Sequence, residues 1–238
     1  MTPLPWLAID TSGDQASVAV GSAGVVLAEE IVQGARRHAV ELVPAIERVL
    51  NGARIPLSRI HGILVTDGPG SFTGLRIGAT VAKGLAYAGN IPVRAASALL
   101  VMAYGGWTSK PTARRILAVT EALRGECYAA LYDITAAGIS VLREPAVGRP
   151  AMLAEWPRPD LLVSELALPG FSGPDLVDGE AAQPRAAVLL DLVGVAGATR
   201  EIVDLGTWEP EYGRPAEAQV RWEALHGRRL PDSAGTAR

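Results

Sequence analysis

The sequence predicts an α/β protein of two lobes related by duplication. The first observation is the opening stretch "WLAIDTSGDQASVAVGSAGVVLAEEIV", in which β-rich runs at Leu7 to Asp10, Ser17 to Val20 and Val25 to Val32 are separated by polar or glycine turns, an antiparallel meander. The second is its recurrence: "RILAVTEALRGECYAALYD" again reads strand, acid-led polar turn, strand, and placing Asp10 on Glu121 aligns the two hairpins. The third is the helical periodicity between them. A match about 110 residues apart marks a duplicated unit, one copy opening each lobe. The lobes are expected at 1–105 and 106–228, the second reduced, with a frayed tail at 229–238.

The intervening elements follow in order. Ala39, Leu42, Val43, Ile46, Val49 and Leu50 recur at helical spacing over residues 36–50; Pro44 within them predicts a kink. "RIHGILVT" reads as a buried strand, Thr73 to Ala88 as a second helix, "NIPVRA" as a strand and Ser97 to Tyr104 as a third helix. "GGWTSKPT", 105–112, reads as a hinge. Residues 139–184 are rich in proline and glycine and weakly periodic; Ala186 to Ala198 is apolar enough for a helix.

Composition limits the function. With 49% hydrophobic and 20% charged residues in 238, the chain is expected to be globular and soluble. Net charge is −3 and the arginine pairs are scattered, so strong unaided binding of nucleic acid is not expected. The single cysteine, Cys127, lies among apolar neighbours, which predicts a buried thiol and a reducing compartment. No signal-peptide pattern opens the chain and no run reaches 18 apolar residues; a cytoplasmic location is expected, with no membrane contact.

The chemistry concentrates in "DGPGSFTGLRIG", 67–78. Gly68, Pro69, Gly70 and Ser71 precede a helix N-terminus, where unpaired N–H groups and the helix dipole favour an anion. The lysine of a nucleotide-binding P-loop is absent, Lys83 lying turns further along. Two readings stand: a strand-to-helix turn capped by Ser71 or Thr73, or an anion site using Gly68, Gly70, Ser71 and Thr73. Asp10, Thr11 and Ser12 likewise read either as an Asx-turn closing the hairpin or as a metal-linked carboxylate beside phosphates, as in actin-like ATPases and sugar kinases. The three histidines, His38, His61 and His226, share no metal-ligand spacing, which removes a zinc protease. Gly74, Gly78, Ala82 and Ala86 form a row on one helix face, admitting another backbone, either an internal sheet or a helix from another chain.

Taken together, "LAIDTS", "RRHAVELVPAIERVL", "DGPGSFTGLRIGATVAKGLA" with "IPV", and "LAVTEALRGECYAALYD" resemble the bacterial TsaB (YeaZ) family over residues 4–133, with a weaker echo at Pro210, Tyr212 and Arg214. The resemblance implies an actin/Hsp70-like two-lobe fold of mixed sheets flanked by helices. It implies work in forming threonylcarbamoyladenosine beside the anticodon of tRNAs that read codons beginning with A. There the TsaB-like chain is the non-catalytic partner of a paralogue, TsaD, and an ATPase, TsaE, joins them. Dimerisation with TsaD, or with itself in isolation, is implied through helices of the first lobe; the contact surface is expected at His38, Leu42, Ile46, Val49, Gly74, Ile77, Gly78 and Val81. The paralogue's metal-binding His-x-x-x-His falls here on Ala98 and Met102, neither a suitable ligand, so no catalytic and no metal-binding residue is expected. No intrinsic cofactor is expected, with room left for ATP or ADP at the partner interface and for weak nucleotide contacts by Asp10, Thr11, Gly68, Gly70, Ser71 and Thr73. Two departures weaken those contacts: Asp67 places a carboxylate beside the loop, and Glu121-Ala122-Leu123 replaces the family's common Asp-Ala-Arg. The alternative is an ATP-dependent kinase or phosphohydrolase using Asp10 and the 68–73 loop.

Overall fold

Alternation of side chains along each strand dictates two-sided sheets here. A computed structural model, which describes residues 4–34, 37–168, 175–213 and 225–227, provides two of them. The first half of the chain forms β1 (Trp6–Asp10), β2 (Ala16–Ser22), β3 (Val25–Val32), α1 (His38–Ala53), β4 (Gly62–Thr66), α2 (Phe72–Gly89), β5 (Val93–Ala96) and α3 (Ala98–Ser109). The second forms β6 (Arg115–Glu121), β7 (Cys127–Thr135), β8 (Gly138–Gly148), β9 (Leu161–Ser164), β10 (Asp175–Val177), α4 (Ala186–Leu192) and β11 (Arg200–Glu201).

The duplication is visible in strand order. The first sheet runs β11-β5-β4-β1-β2-β3 and the second β10-β9-β6-β7-β8. In both, the opening strand pairs antiparallel with the next and parallel with the fourth of its set. Ten strands thus fall into two equivalent sets, and β11 adds an antiparallel edge to the first.

Packing follows from the alternation. Leu7 and Ile9 of β1, with Ile63 and Val65 of β4, face α1 and α2; Ala8 and Leu64 face the opposite side, where α3, α4 and Ile116, Ala118 and Val163 of the second sheet complete the interlobe core. Small residues on β1 and β2 (Ala8, Ala19) leave room there for α3 and α4. The outer face of the second sheet carries a smaller core of Leu117, Val119, Leu131 and Leu162 under Leu153.

α1 runs through Pro44 as one helix. Two expectations change. The stretch expected as a hinge is helical as far as Ser109, with Gly106 buried against Val163; its long apolar sequence suits a helix covered on most sides. Within 139–184, β8, β9 and β10 are ordered strands that the weak periodicity did not reveal. The chain after Gly106 is also not confined to the second sheet, since α4 packs on β1, β2 and β3 and β11 pairs with β5. The expected tail at 229–238 and Arg214 lie outside the described residues.

Candidate functional site

Between the lobes lies a cleft of about 430 Å³ lined by Ser12, Gly13, Asp14, Gly70, Ser71, Phe72, Thr73, Thr120, Glu121, Ala122, Leu123, Tyr128, Glu165 and Tyr212. Both duplicated hairpins therefore contribute, one through Ser12–Asp14 and the other through Thr120–Leu123. Asp10, Thr11 and Gly68 are not at its surface.

Asp10 is fully buried beneath the cleft. Its Oδ1 accepts from the Ser12 hydroxyl at 2.7 Å, from the Thr66 hydroxyl and from the Ser12 N–H, the Asx geometry expected of this hairpin. Its Oδ2 has no hydrogen-bond partner among the described residues. Burial outweighs these bonds and pushes the carboxyl up to about 6.

The loop at 68–71 closes onto the same hairpin. The Ser71 N–H donates to the Ser12 carbonyl at 2.8 Å, and the Gly74 N–H donates to Ser71 Oγ at 3.2 Å. Ser71 is thus the N-cap of α2, and two N–H groups that a phosphate would need are already engaged. Gly68 takes φ of +116°, and a Cβ there would meet the Glu211 carbonyl oxygen at 2.1 Å; the Gly68–Pro69 bond is cis.

The cleft's charge is one-sided. Among the described residues Asp14, Glu121 and Glu165 line it, and no lysine or arginine does. Glu165 accepts from the Thr120 hydroxyl through Oε2, its Oε1 is buried without a partner among the described residues, and burial with the nearby Asp14, Asp10 and Glu121 raises its carboxyl. Lys83 is engaged elsewhere, donating to the Trp208 carbonyl at 2.5 Å. Asp67 was expected to oppose phosphate beside the loop. It instead turns away to Arg200 on β11, in an ion pair that ties β4 to the sheet edge; burial still raises it to about 6.

The small-residue row resolves inward. A Cβ on Gly74 would meet the Thr11 carbonyl oxygen at 2.0 Å, and one on Gly78 would meet Thr11 Oγ1 at 2.3 Å. The row brings α2 against the end of β1, so the partner is the internal sheet. Leu42, Ile46 and Val49 are likewise core residues of the first lobe, and His38 is fully buried, its imidazole lowered by that burial. These six cannot present a surface without unfolding, which corrects their expected place in the contact set. Ile77 and Val81 do reach the outside. With Ala39, Phe72, Thr73, Arg76 and Thr80 they line a shallow, largely apolar groove between α1 and α2, and Val40 and Val43 of α1 are 73% and 50% exposed beside Ala39. Periodicity had selected the core face of α1, where leucine and isoleucine lie; the valine-bearing opposite face was the available signal.

Ala98 and Met102 are both buried, Met102 in the interlobe core. Among the described residues no group of three or more His, Cys, Asp or Glu side chains could hold a metal ion. No helix among them is long and apolar enough to cross a membrane. Cys127 is a buried free thiol, raised by burial.

Two duplicated sheets with a cleft at the ends of β1 and β6 define the class: an actin/Hsp70-like two-lobe protein. Residues 26–201 match the family described as "TsaD: tRNA N6-adenosine threonylcarbamoyltransferase". The tRNA threonylcarbamoyladenosine biosynthesis protein TsaB of Escherichia coli is 34% identical over 93% of this chain and 98% of its own length; that of Bacillus subtilis is 32% identical over 91% and 96%. YeaZ from Pseudomonas aeruginosa superposes with a TM-score of 0.74 at 30% identity, over 89% of this chain and 100% of that one. The chain belongs to the TsaB (YeaZ) family, within the broader TsaD-type family.

Proposed function

We propose that this chain is a non-catalytic subunit in the formation of threonylcarbamoyladenosine on tRNAs that read codons beginning with A, where it binds and stabilises the catalytic paralogue TsaD. The observation that carries this reading is the cleft. Where an actin-like enzyme would place polyphosphate, the described residues offer carboxylates, no lining cation and a loop whose N–H groups are partly engaged. The α1/α2 groove is the docking face for TsaD, and for a second copy of the chain in isolation. Its apolar floor and valine rim suit a helix of the partner. TsaE joins as the ATPase, any ATP or ADP sits at the partner interface, and tRNA is reached through the complex, in keeping with a net charge of −3. The chain works in the cytoplasm.

The test is co-purification and sedimentation with tagged TsaD. The wild-type chain forms a heterodimer. Ile77→Asp with Val81→Asp weakens it about thirtyfold or more, as expected for burying charges in an interface core, with an unchanged thermal midpoint. Undiminished pairing by the double variant refutes the docking face.

A second reading, an ATP-dependent kinase or phosphohydrolase, draws on the Oδ2 of Asp10, which has no partner among the described residues. It requires tight Mg-ATP binding by the isolated chain.

A further inference from the structure

Residues 208–213 run from the first lobe to the second. Trp208 is buried in the first-lobe core, and its carbonyl receives Lys83. The Glu211 N–H donates to the Asp67 carbonyl at 2.6 Å. Tyr212 lays its ring on Phe72, with centroids 4.5 Å apart, and Arg76 stands 4.2 Å over the Phe72 ring while its Nε donates to the Tyr212 hydroxyl at 3.2 Å. On the far side the Tyr128 hydroxyl of β7 donates to the Tyr212 carbonyl at 3.0 Å, and Gly213 packs against the Tyr128 ring and Pro69. The segment is therefore fastened to both lobes, and Tyr212 is a wall of the cleft.

Phe72 belongs to two sites. It lines the interlobe cleft and also the α1/α2 groove, where Arg76 lies beside it. We propose that residues 208–213 are a strap that sets the opening of the cleft, and that the Phe72–Arg76–Tyr212 stack transmits occupancy of the α1/α2 groove to that strap. The coupling half rests on the docking reading above; the strap half does not. A partner seated in the groove buries the outer face of Phe72 and holds Arg76 over the rings. Tyr212 is then confined, and through Tyr128 the second-lobe hairpin is drawn toward the first lobe. By reciprocity, a closed cleft favours docking by the same factor.

The experiment is amide hydrogen exchange on the full chain, alone and with TsaD. The probes are Glu211 in the strap and Ala122 and Glu126 in the second-lobe turn, whose N–H groups are hydrogen-bonded to Asp67, Glu126 and Leu123 carbonyls. In the isolated chain, Tyr212→Ala speeds exchange at these positions by about three- to tenfold, the factor an aromatic stack supports, with β2 and β3 unchanged. Tyr128→Phe, which removes one hydroxyl and keeps the ring, gives a smaller increase at the same sites. Adding TsaD slows Ala122 and Glu126 in the wild type but not in Tyr212→Ala, although that variant still binds. Unchanged exchange in both isolated variants overturns the strap. Equal slowing by TsaD in wild type and Tyr212→Ala overturns the coupling. Absence of TsaD binding by the wild type removes the docking reading and the coupling with it, while the isolated-chain rates still decide the strap.

Discussion

Gly74→Ala and Gly84→Ala make the same chemical change in the same helix, and the structure gives them opposite signs. Alanine in place of an interior helical glycine ordinarily stabilises by about 0.5–1 kcal/mol. At Gly84 nothing lies within 4 Å of the added Cβ, so the full gain is expected. For a chain of this size that is a rise of about 1–4 °C in Tm. At Gly74 the Cβ would stand 2.0 Å from the Thr11 carbonyl oxygen. That oxygen is backbone, flanked by the buried Asp10 and Ser12, so relief requires either α2 or the end of β1 to move. Overpacking costs about 1–3 kcal/mol even where side chains yield. Disturbing the bonds to Asp10 adds to this, for a net loss of about 2–4 kcal/mol and a fall of about 5–12 °C. Urea and thermal denaturation of the two variants beside the wild type measure both. A Gly74→Ala protein as stable as Gly84→Ala would refute the close approach of α2 to β1 and the inward reading of the small-residue row. It follows that bulky substitution of Gly78, whose Cβ would meet Thr11 Oγ1 at 2.3 Å, unfolds the first lobe instead of selectively blocking association.

Other outcomes follow from the buried charges and the cleft. Asp10 and Asp67, both raised from 3.8 to about 6, bind more protons in the native than in the unfolded state between about pH 4 and 6. Their contribution to stability is therefore full below that window and lost as pH rises through it, by up to about 3 kcal/mol each. Asp10→Asn removes one share: its stability relative to wild type rises between pH 4 and 7, and parallel urea midpoints across that range would contradict the assignment. Arg200→Ala leaves the Asp67 carboxylate buried without its cation and costs about 2–4 kcal/mol at pH 8. The cost shrinks below pH 6 as Asp67 takes a proton, which equilibrium unfolding at the two pH values checks. Calorimetric titration of the isolated chain with Mg-ATP gives no binding tighter than about millimolar, as expected for a triphosphate facing a cluster of carboxylates; micromolar binding lost on Asp10→Ala would restore the kinase reading.

The fold was legible where local and global signals agree. The two hairpins, the "HGILVT" strand and the glycine loop leading into α2 each carry turn chemistry and periodicity that few other folds accommodate, and their repetition gave the duplication. β9 and β10 were not legible because four- and three-residue strands among prolines carry too little periodicity. The continuation of α3 past Tyr104 was hidden by Gly105 and Gly106, read as punctuation although Gly106 is there for its closeness to Val163. At the site, helical spacing identified the residues of α1 and α2 that matter for packing but not which face meets solvent. Leu42 and Val43 are neighbours in sequence, and only the position of the sheet sends one inward and leaves the other exposed. Asp67 illustrates the same limit: its partner Arg200 lies 133 residues away, and nothing local foretells that a carboxylate beside a glycine loop will turn to a distant strand.

The return of α4 and β11 to the first sheet bears on how the chain is made. During synthesis β5 remains a bare sheet edge, and the α4-facing side of β1 and β2 stays uncovered, until residues near 200 have left the ribosome. The first lobe, although encoded first, cannot finish before most of the second has been translated. A fragment cut near residue 105 would keep an open edge and an uncovered apolar face, so the two lobes are expected to mature as one unit once residues near 200 have emerged, and the fragment to aggregate.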